Sequence, residues 1–400
     1  MALRILFLAD AVFDDLPGGS RVVARELAWQ FVDAGHHVTM LVGRQNESAP
    51  ADETTNRGVR IVRYNGAGNP FEFIRNGQIA CRRLLAEHHY DIVHTHFAYA
   101  AVGPLRAIPQ SIPRIRTFHG PWDEEMTAGH DPTKQPALQR VQTSAKVGLA
   151  RNIEASNLKS SSNVIALSDV FAQMLASKYR VPRTRIHVIP GGVNINRFEL
   201  ADRNEQRMRL GLPLDRRILL SVRRLAPRMG LDNLIRALPE IIVRQPDVLL
   251  VIGGNGPEKG KLIDLINELR LQQNVKMAGF IPDGDLAGYY QAADLFVLPT
   301  LALEGFGLVT MEALACGTPV IGTPVGAIPE TLQSLSPRLI ADGLDHNSLA
   351  RAISSYFADD WARALTPEVL RNYVLQRYTW DRHASAVEAI YRQALGLGDQ

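Results

Sequence analysis

Short apolar runs recur along this chain at the length of buried strands. They fall into two series separated by a polar stretch, and that arrangement limits what the chain can become. The first series comprises residues 5–9, 37–42, 91–94, 113–118, 163–167 and 186–189; the second comprises 217–222, 248–252, 275–278, 295–298 and 319–322. A strand that is apolar on both faces belongs to a parallel sheet covered on both sides by helices. Helical spacing lies between the runs. Val23, Leu27 and Phe31 predict one helix face, closed at Gly35, and Ala384, Val387, Ile390 and Tyr391 predict another in a C-terminal helix over 380–395. The polar segment 199–214 reads as an interdomain linker.

A chain of 400 residues is long enough for two cores. The expected domains are 1–198 plus 380–400, with the final helix packed back on the first domain, and 199–379. Parallel sheets of this kind bind ligands beyond the C-terminal ends of their strands, so two facing units imply a deep cleft. A net charge of +3, with no concentrated basic stripe, excludes a nucleic-acid binder. The positive excess lies in the first half. It fits either an anionic membrane surface or an ordinary solvated one. Cys81 and Cys316 form neither a metal spacing nor a disulfide framework and fit a reducing, cytosolic compartment. The apolar run after Arg4 is short and is followed by Asp10, Asp14 and Asp15, so it does not read as a signal peptide. No stretch approaches the ~18 apolar residues of a membrane span, and any membrane contact is expected to be peripheral.

The segment richest in chemistry is 304–312, which leaves a strand ending at 298 and enters a helix over 308–315. Gly305 and Gly307 allow close approach to the backbone. The helix start at Gly307, Leu308 and Val309 offers unpaired N–H groups to an anion such as a diphosphate. Glu304 at the loop mouth and Glu312 one turn inside the helix can each accept hydrogen bonds from hydroxyls. A glycosidase pair stands ~5–9.5 Å apart across one bond. Eight residues at helical rise span ~12 Å, so these two carboxylates suit opposite ends of one long ligand, sugar at one end and ribose at the other.

The run from Gln291 through Glu304 and Glu312 to Gly326 resembles the family 4 retaining glycosyltransferases of the GT-B fold, an α/β class with two facing Rossmann-like domains. The likeness extends over nearly the whole chain through Gly18-Gly19, Gly35-His36, His94-x-His96, His119-Gly120, Ser168, Ile189 to Val193, Gly254-x-Gly256-Pro257 and Gly279-Phe280. The resemblance implies that Glu304 holds donor-sugar hydroxyls with the backbone of Gly305, Phe306 and Gly307. It also implies that Glu312 binds ribose, that Arg224 contacts the diphosphate, and that Gly18 and Gly19 close over the donor. Ile281 would meet the base through its backbone, and His119 would line the reaction centre. Gly254 belongs to the same donor-binding set. The family commonly has Lys-Gly five residues after its arginine; here Met229-Gly230 stands there, and Arg228 or Arg223 is the candidate second cation.

His94 and His96 alternate at a strand end and are read as pointing to opposite faces, with His94 in the core and His96 toward the cleft. One metal held by both is therefore not expected. Trp122 is either an acceptor platform or simply packed. Asp283-Gly284-Asp285 reads as turn chemistry ahead of a helix at Leu286 rather than a metal motif. The loop from Gly254 to Gly260 lacks the acid that a dinucleotide fold needs. Ser168 can be a helix N-cap.

The resemblance implies a metal-independent enzyme without a cofactor, working with retention by front-face attack. It would move a sugar from a nucleoside-diphosphate donor, with UDP the commonest, to a saccharide or lipid-linked acceptor in polysaccharide or glycoconjugate synthesis. Closure is expected to hinge near 191–214 and 375–380. A sucrose-type transferase using a small acceptor, and a nucleotide-binding homologue without turnover, are the alternatives.

Overall fold

The computed structural model describes residues 1–12, 18–44, 48–66, 69–128 and 137–398. They form two compact units. One takes residues 1–126, the stretch that ends at Gly192 and the segment from Trp380; the other takes Val193–Thr379.

The first unit holds an eight-stranded sheet: β1 (Arg4–Ala9), β2 (His37–Arg44), β3 (Asp52–Thr54), β4 (Arg60–Asn65), β5 (Ile92–Thr95), β6 (Arg114–Phe118), β7 (Asn163–Ala166) and β8 (Ile186–Val188). Its order is β3-β4-β2-β1-β5-β6-β7-β8, parallel except for β3 on β4. Strand alternation divides β1 between two cores. Ile5 and Phe7 pack with Leu27 and Phe31 of helix Gly19–Asp33 and with Val387 and Tyr391 of helix Trp380–Ala394. Leu6 and Leu8 pack on the other face with Cys81, Leu84 and Val93.

The second unit holds β9 (Arg217–Val222), β10 (Val248–Gly253), β11 (Val275–Gly279), β12 (Leu295–Leu298) and β13 (Val320–Gly322), in the order β11-β10-β9-β12-β13 and all parallel. Helix Leu231–Arg244 buries Leu231, Leu234, Ile235, Leu238 and Ile241, a single stripe at helical spacing. The strand order reverses beside β9 and β12, so the loops after those two strands flank the point where such sheets bind ligands. Among the described residues, no helix is long and apolar enough to cross a membrane.

Candidate functional site

In the second unit the switch point gathers most of the residues singled out above. Helix Leu308–Ala315 starts on Gly307, whose φ of 77° is left-handed and suits glycine. The N–H groups of Leu308 and Val309 belong to the first turn and have no intrahelical acceptor. Before the helix, Glu304 Oε2 accepts from Arg223 Nη2 at 2.5 Å and from Thr300 Oγ1 at 3.2 Å, and Arg223 Nη1 also donates to Thr300. Arg223 follows β9 and Thr300 follows β12, two neighbouring strands. The Glu304 carbonyl is fixed in turn by Ala327 N at 2.9 Å. A Cβ on Gly326 would overlap that carbonyl oxygen. Arg228 donates to the carbonyls of Ala302 at 3.4 Å and Leu303 at 3.1 Å, and Leu303 has a φ of 61°. Arg228 thus braces a loop containing a non-glycine residue in the left-handed region.

Glu312 is placed by a partner that sequence reasoning missed. The buried Tyr290 donates from its hydroxyl to Glu312 Oε2 at 2.8 Å and is walled by Phe198 and Phe296. Burial, and then the nearby carboxylate, raise the phenol far above its usual range, so it stays a donor. Arg224 is exposed at the end of β9, next to buried Leu225. Met229 is packed. Ile281 is buried and lies against Gly253. Phe306 is buried against Tyr378, so within 305–307 it contributes packing. Gly254 has a φ of 126°, and a Cβ there would overlap the carbonyl oxygen of Arg223. Its missing side chain lets two protein loops meet.

In the first unit, Gly18 and Gly19 open helix Gly19–Asp33; residues 13–17 before them, with Asp14 and Asp15, lie outside the described set. Arg21 of that helix pairs with Asp10. The ends of β5 and β6 bring His96 and His119 together, with Nδ1 and Nε2 3.3 Å apart. The expectation that His94 and His96 face opposite ways is wrong. Residues two apart on a strand share a face, and the two rings stack with centroids 4.3 Å apart, both buried. His94 is saturated: Nδ1 meets Tyr391 Oη at 2.5 Å and Nε2 meets Thr117 Oγ1 at 2.7 Å. Trp122 sits between Phe97 and Tyr99, with ring centroids 5.7 Å from each. Ser168 caps its helix, accepting from Phe171 N at 3.3 Å.

Residues 202–374 match the family described as Glycosyl transferases group 1, and residues 17–197 match Glycosyltransferase Family 4. D-inositol 3-phosphate glycosyltransferase 1 of Catenulispora acidiphila is 30% identical over 95% of this chain and 92% of the relative. The chain belongs to this family of glycosyltransferases. Another relative is the GDP-mannose-dependent alpha-(1-6)-phosphatidylinositol monomannoside mannosyltransferase of Mycolicibacterium smegmatis, 29% identical over 86% of this chain and 87% of that one. Among solved structures, sucrose-phosphate synthase from Thermosynechococcus elongatus superposes with a TM-score of 0.82 at 26% identity, covering 99% of this chain and 100% of the other. Both units of the glycosyltransferase are Rossmann-like, and the fold is GT-B.

Asp283 and Asp285 of the glycosyltransferase lie in the first turn of helix Asp283–Ala292 rather than ahead of it, and each is engaged by an arginine, Arg197 at 2.8 Å and Arg209 at 2.7 Å. Among the described residues, no group of three or more His, Cys, Asp or Glu side chains is placed to hold a metal.

Burial holds several histidines of the glycosyltransferase below their usual range, which opposes the folded state as pH falls. Burial, with Arg116 and His383 nearby, pulls His119 down to about 3. His383 donates from Nδ1 to the Pro190 carbonyl at 2.7 Å, yet burial still pulls it down to about 4. The unfolded chain, with ordinary histidines near 6.5, binds protons first as pH falls. The contribution of His383 is therefore complete above about pH 6.5 and declines as pH falls toward 4. The stability gap between the wild type and His383→Asn, from urea unfolding, is expected to shrink by about 2 kcal/mol between pH 7 and pH 5. An unchanged gap would mean that His383 is not held neutral.

Proposed function

We propose that this glycosyltransferase takes a nucleoside-diphosphate sugar, with a UDP-sugar as the first to test, and transfers the sugar with retention to a saccharide or lipid-linked acceptor. The supporting observation is the arrangement of 304–312 at the switch point. Two anchored carboxylates flank a glycine-capped helix start, and arginines stand at the end of the neighbouring strand. Glu312 is assigned to ribose, and Arg224 with the N–H groups of Leu308 and Val309 to the diphosphate. Glu304 and the backbone of Gly305 to Gly307 are assigned to the sugar, and the backbone of Ile281 to the base. Gly254 and Arg228 shape the walls. Gly18, Gly19 and His119 are assigned to the reacting end. Fixed positive groups stabilise the diphosphate as it leaves. With these groups supplying the charge, no metal is needed. In front-face attack the acceptor oxygen bonds to the anomeric carbon while its proton passes to the leaving phosphate oxygen.

The acceptor has two candidate classes. The relative named for phosphatidylinositol monomannoside supports a lipid-linked acceptor. So does helix Ala137–Ser160, which exposes Arg140, Lys146, Arg151 and Lys159 beside Val141 and Leu149, while Glu154, its one acid, is buried against Arg116. An exposed surface whose charged side chains are all basic suits an anionic membrane surface. The enzyme should then float with anionic vesicles and not with neutral ones. The names D-inositol 3-phosphate glycosyltransferase and sucrose-phosphate synthase support a second class, a small phosphorylated acceptor.

The test is a panel of nucleotide sugars, with and without acceptors of both classes, in the presence of chelator. Nucleoside diphosphate should be released from one donor, unaffected by chelator. Release should fall by about a hundredfold or more in Arg224→Ala and Glu312→Ala, each of which removes a charge-assisted contact. No release from any donor, with no thermal stabilisation by any nucleoside diphosphate, would refute the proposal.

A further inference from the structure

Arg223 and Glu304 form an ion pair at an unusual place. Their side chains are 6% and 12% exposed, and the Glu304 carboxyl carbon lies 3.8 Å from where a Cβ of Gly307 would stand. The guanidinium is therefore held beside the start of helix Leu308–Ala315, where backbone N–H groups attract an anion. An anion arriving there competes with Glu304 for the same cation.

The neighbouring residues narrow the choice of cation. Met229 is packed and carries no charge. Arg228 Nη1 donates to the carbonyls of Ala302 and Leu303, which engages that side chain with the loop before the helix. Arg224 is exposed at the same strand end and supplies one cation. Arg223 is the remaining basic side chain of 223–230 near the helix start, and its planar fork serves a carboxylate and a phosphate equally well.

We propose that Arg223 is the second diphosphate-binding cation, parked on Glu304 in the free enzyme and handed to the phosphate when the donor arrives. The inference rests on the nucleoside-diphosphate-sugar proposal above. The exchange needs no proton transfer. Glu304 gives up the guanidinium and takes up sugar hydroxyls, while Thr300 remains within reach of its carboxylate. A sugar-free nucleoside diphosphate supplies no hydroxyl in return, so with that ligand the charge of Glu304 works against binding.

The opposed signs give the test. Affinities for UDP, UMP, GDP and GMP are measured on the wild type, Arg223→Gln, Arg223→Lys, Glu304→Gln and the Arg223→Gln/Glu304→Gln double variant. For the base that binds, Arg223→Gln should weaken the diphosphate about tenfold and the monophosphate about twofold or less, in line with loss of one charge-assisted contact. Arg223→Lys should recover part of the loss. Glu304→Gln should tighten the diphosphate severalfold, a gain that misfolding cannot produce, and the double variant should return to the Arg223→Gln level. If Arg223→Gln leaves the preference for diphosphate over monophosphate unchanged, or Glu304→Gln fails to tighten the diphosphate, the hand-over is wrong while the donor proposal stands. If the wild type binds none of the four nucleotides and no other nucleoside diphosphate, ADP included, stabilises it, the donor proposal fails and takes this inference with it.

Discussion

Glu304→Ala is expected to lower kcat/KM by about a thousandfold, about 4 kcal/mol of transition-state stabilisation. The loss lies in the sugar contacts. The carboxylate's hydrogen bonds to donor hydroxyls disappear, and bonds to charged groups contribute about 1.5–3 kcal/mol each, so two such bonds account for the effect. Glu304→Gln should lose less, because the amide oxygen can still accept from a sugar hydroxyl and from Thr300. Steady-state kinetics on both variants, with thermal melting as the control for folding, makes the comparison. Equal activity in Glu304→Ala and wild type would remove Glu304 from the site.

Gly254→Ala should be the most damaging small substitution in the second unit. Its φ of 126° lies where side chains are strained, and the added Cβ would overlap the Arg223 carbonyl oxygen and stand 2.9 Å from its carbonyl carbon. Neither partner is a flexible side-chain end, so the β9 and β10 loops must part. Overpacking of this kind costs about 1–3 kcal/mol, and the backbone conformation adds about 1–3 kcal/mol more. At roughly 2–4 °C per kcal/mol for a domain of this size, the melting temperature should drop by about 5 °C or more. Arg223 moves with the loop, so donor KM should rise as well. A residue whose openness served only a ligand would raise KM and leave melting unchanged; that pattern in Gly254→Ala would show that the two loops can yield.

Most of the two strand series was legible because the runs are apolar on both faces, with 113–118, which carries Arg114 and Arg116, read from its place in the alternation, and the helix over 308–315 because a glycine cap precedes an apolar segment. The antiparallel β3 was not legible: Asp52, Glu53 and Thr54 are polar, three residues long and at the sheet edge. β4 mixes Arg60 and Arg63 with its apolar residues and carries no continuous run. The histidine pair was misread through strand parity, a local error that the stacked rings of His94 and His96 expose. Within the candidate site, sequence pattern could name Glu304 and Glu312 but not what holds them. Arg223 lies 81 residues from Glu304, and Tyr290 lies on a different helix from Glu312. Such pairs exist only after the sheet brings strand ends together. Thr300, four residues before Glu304, was the one partner with a local signal. Gly254 was recognisable as a loop glycine, while the surface that requires it, the Arg223 carbonyl, became visible only in three dimensions.

The central claim is that the segment from Glu304 to Glu312 is the donor site, and a crystal structure with the turned-over nucleotide bound tests it most directly. The account predicts the diphosphate on the N–H groups of Leu308 and Val309 with Arg224, and a ribose hydroxyl on Glu312. Arg223 should be turned from Glu304 toward phosphate. A nucleotide bound elsewhere, with Glu304, Glu312 and the helix start untouched, would contradict it.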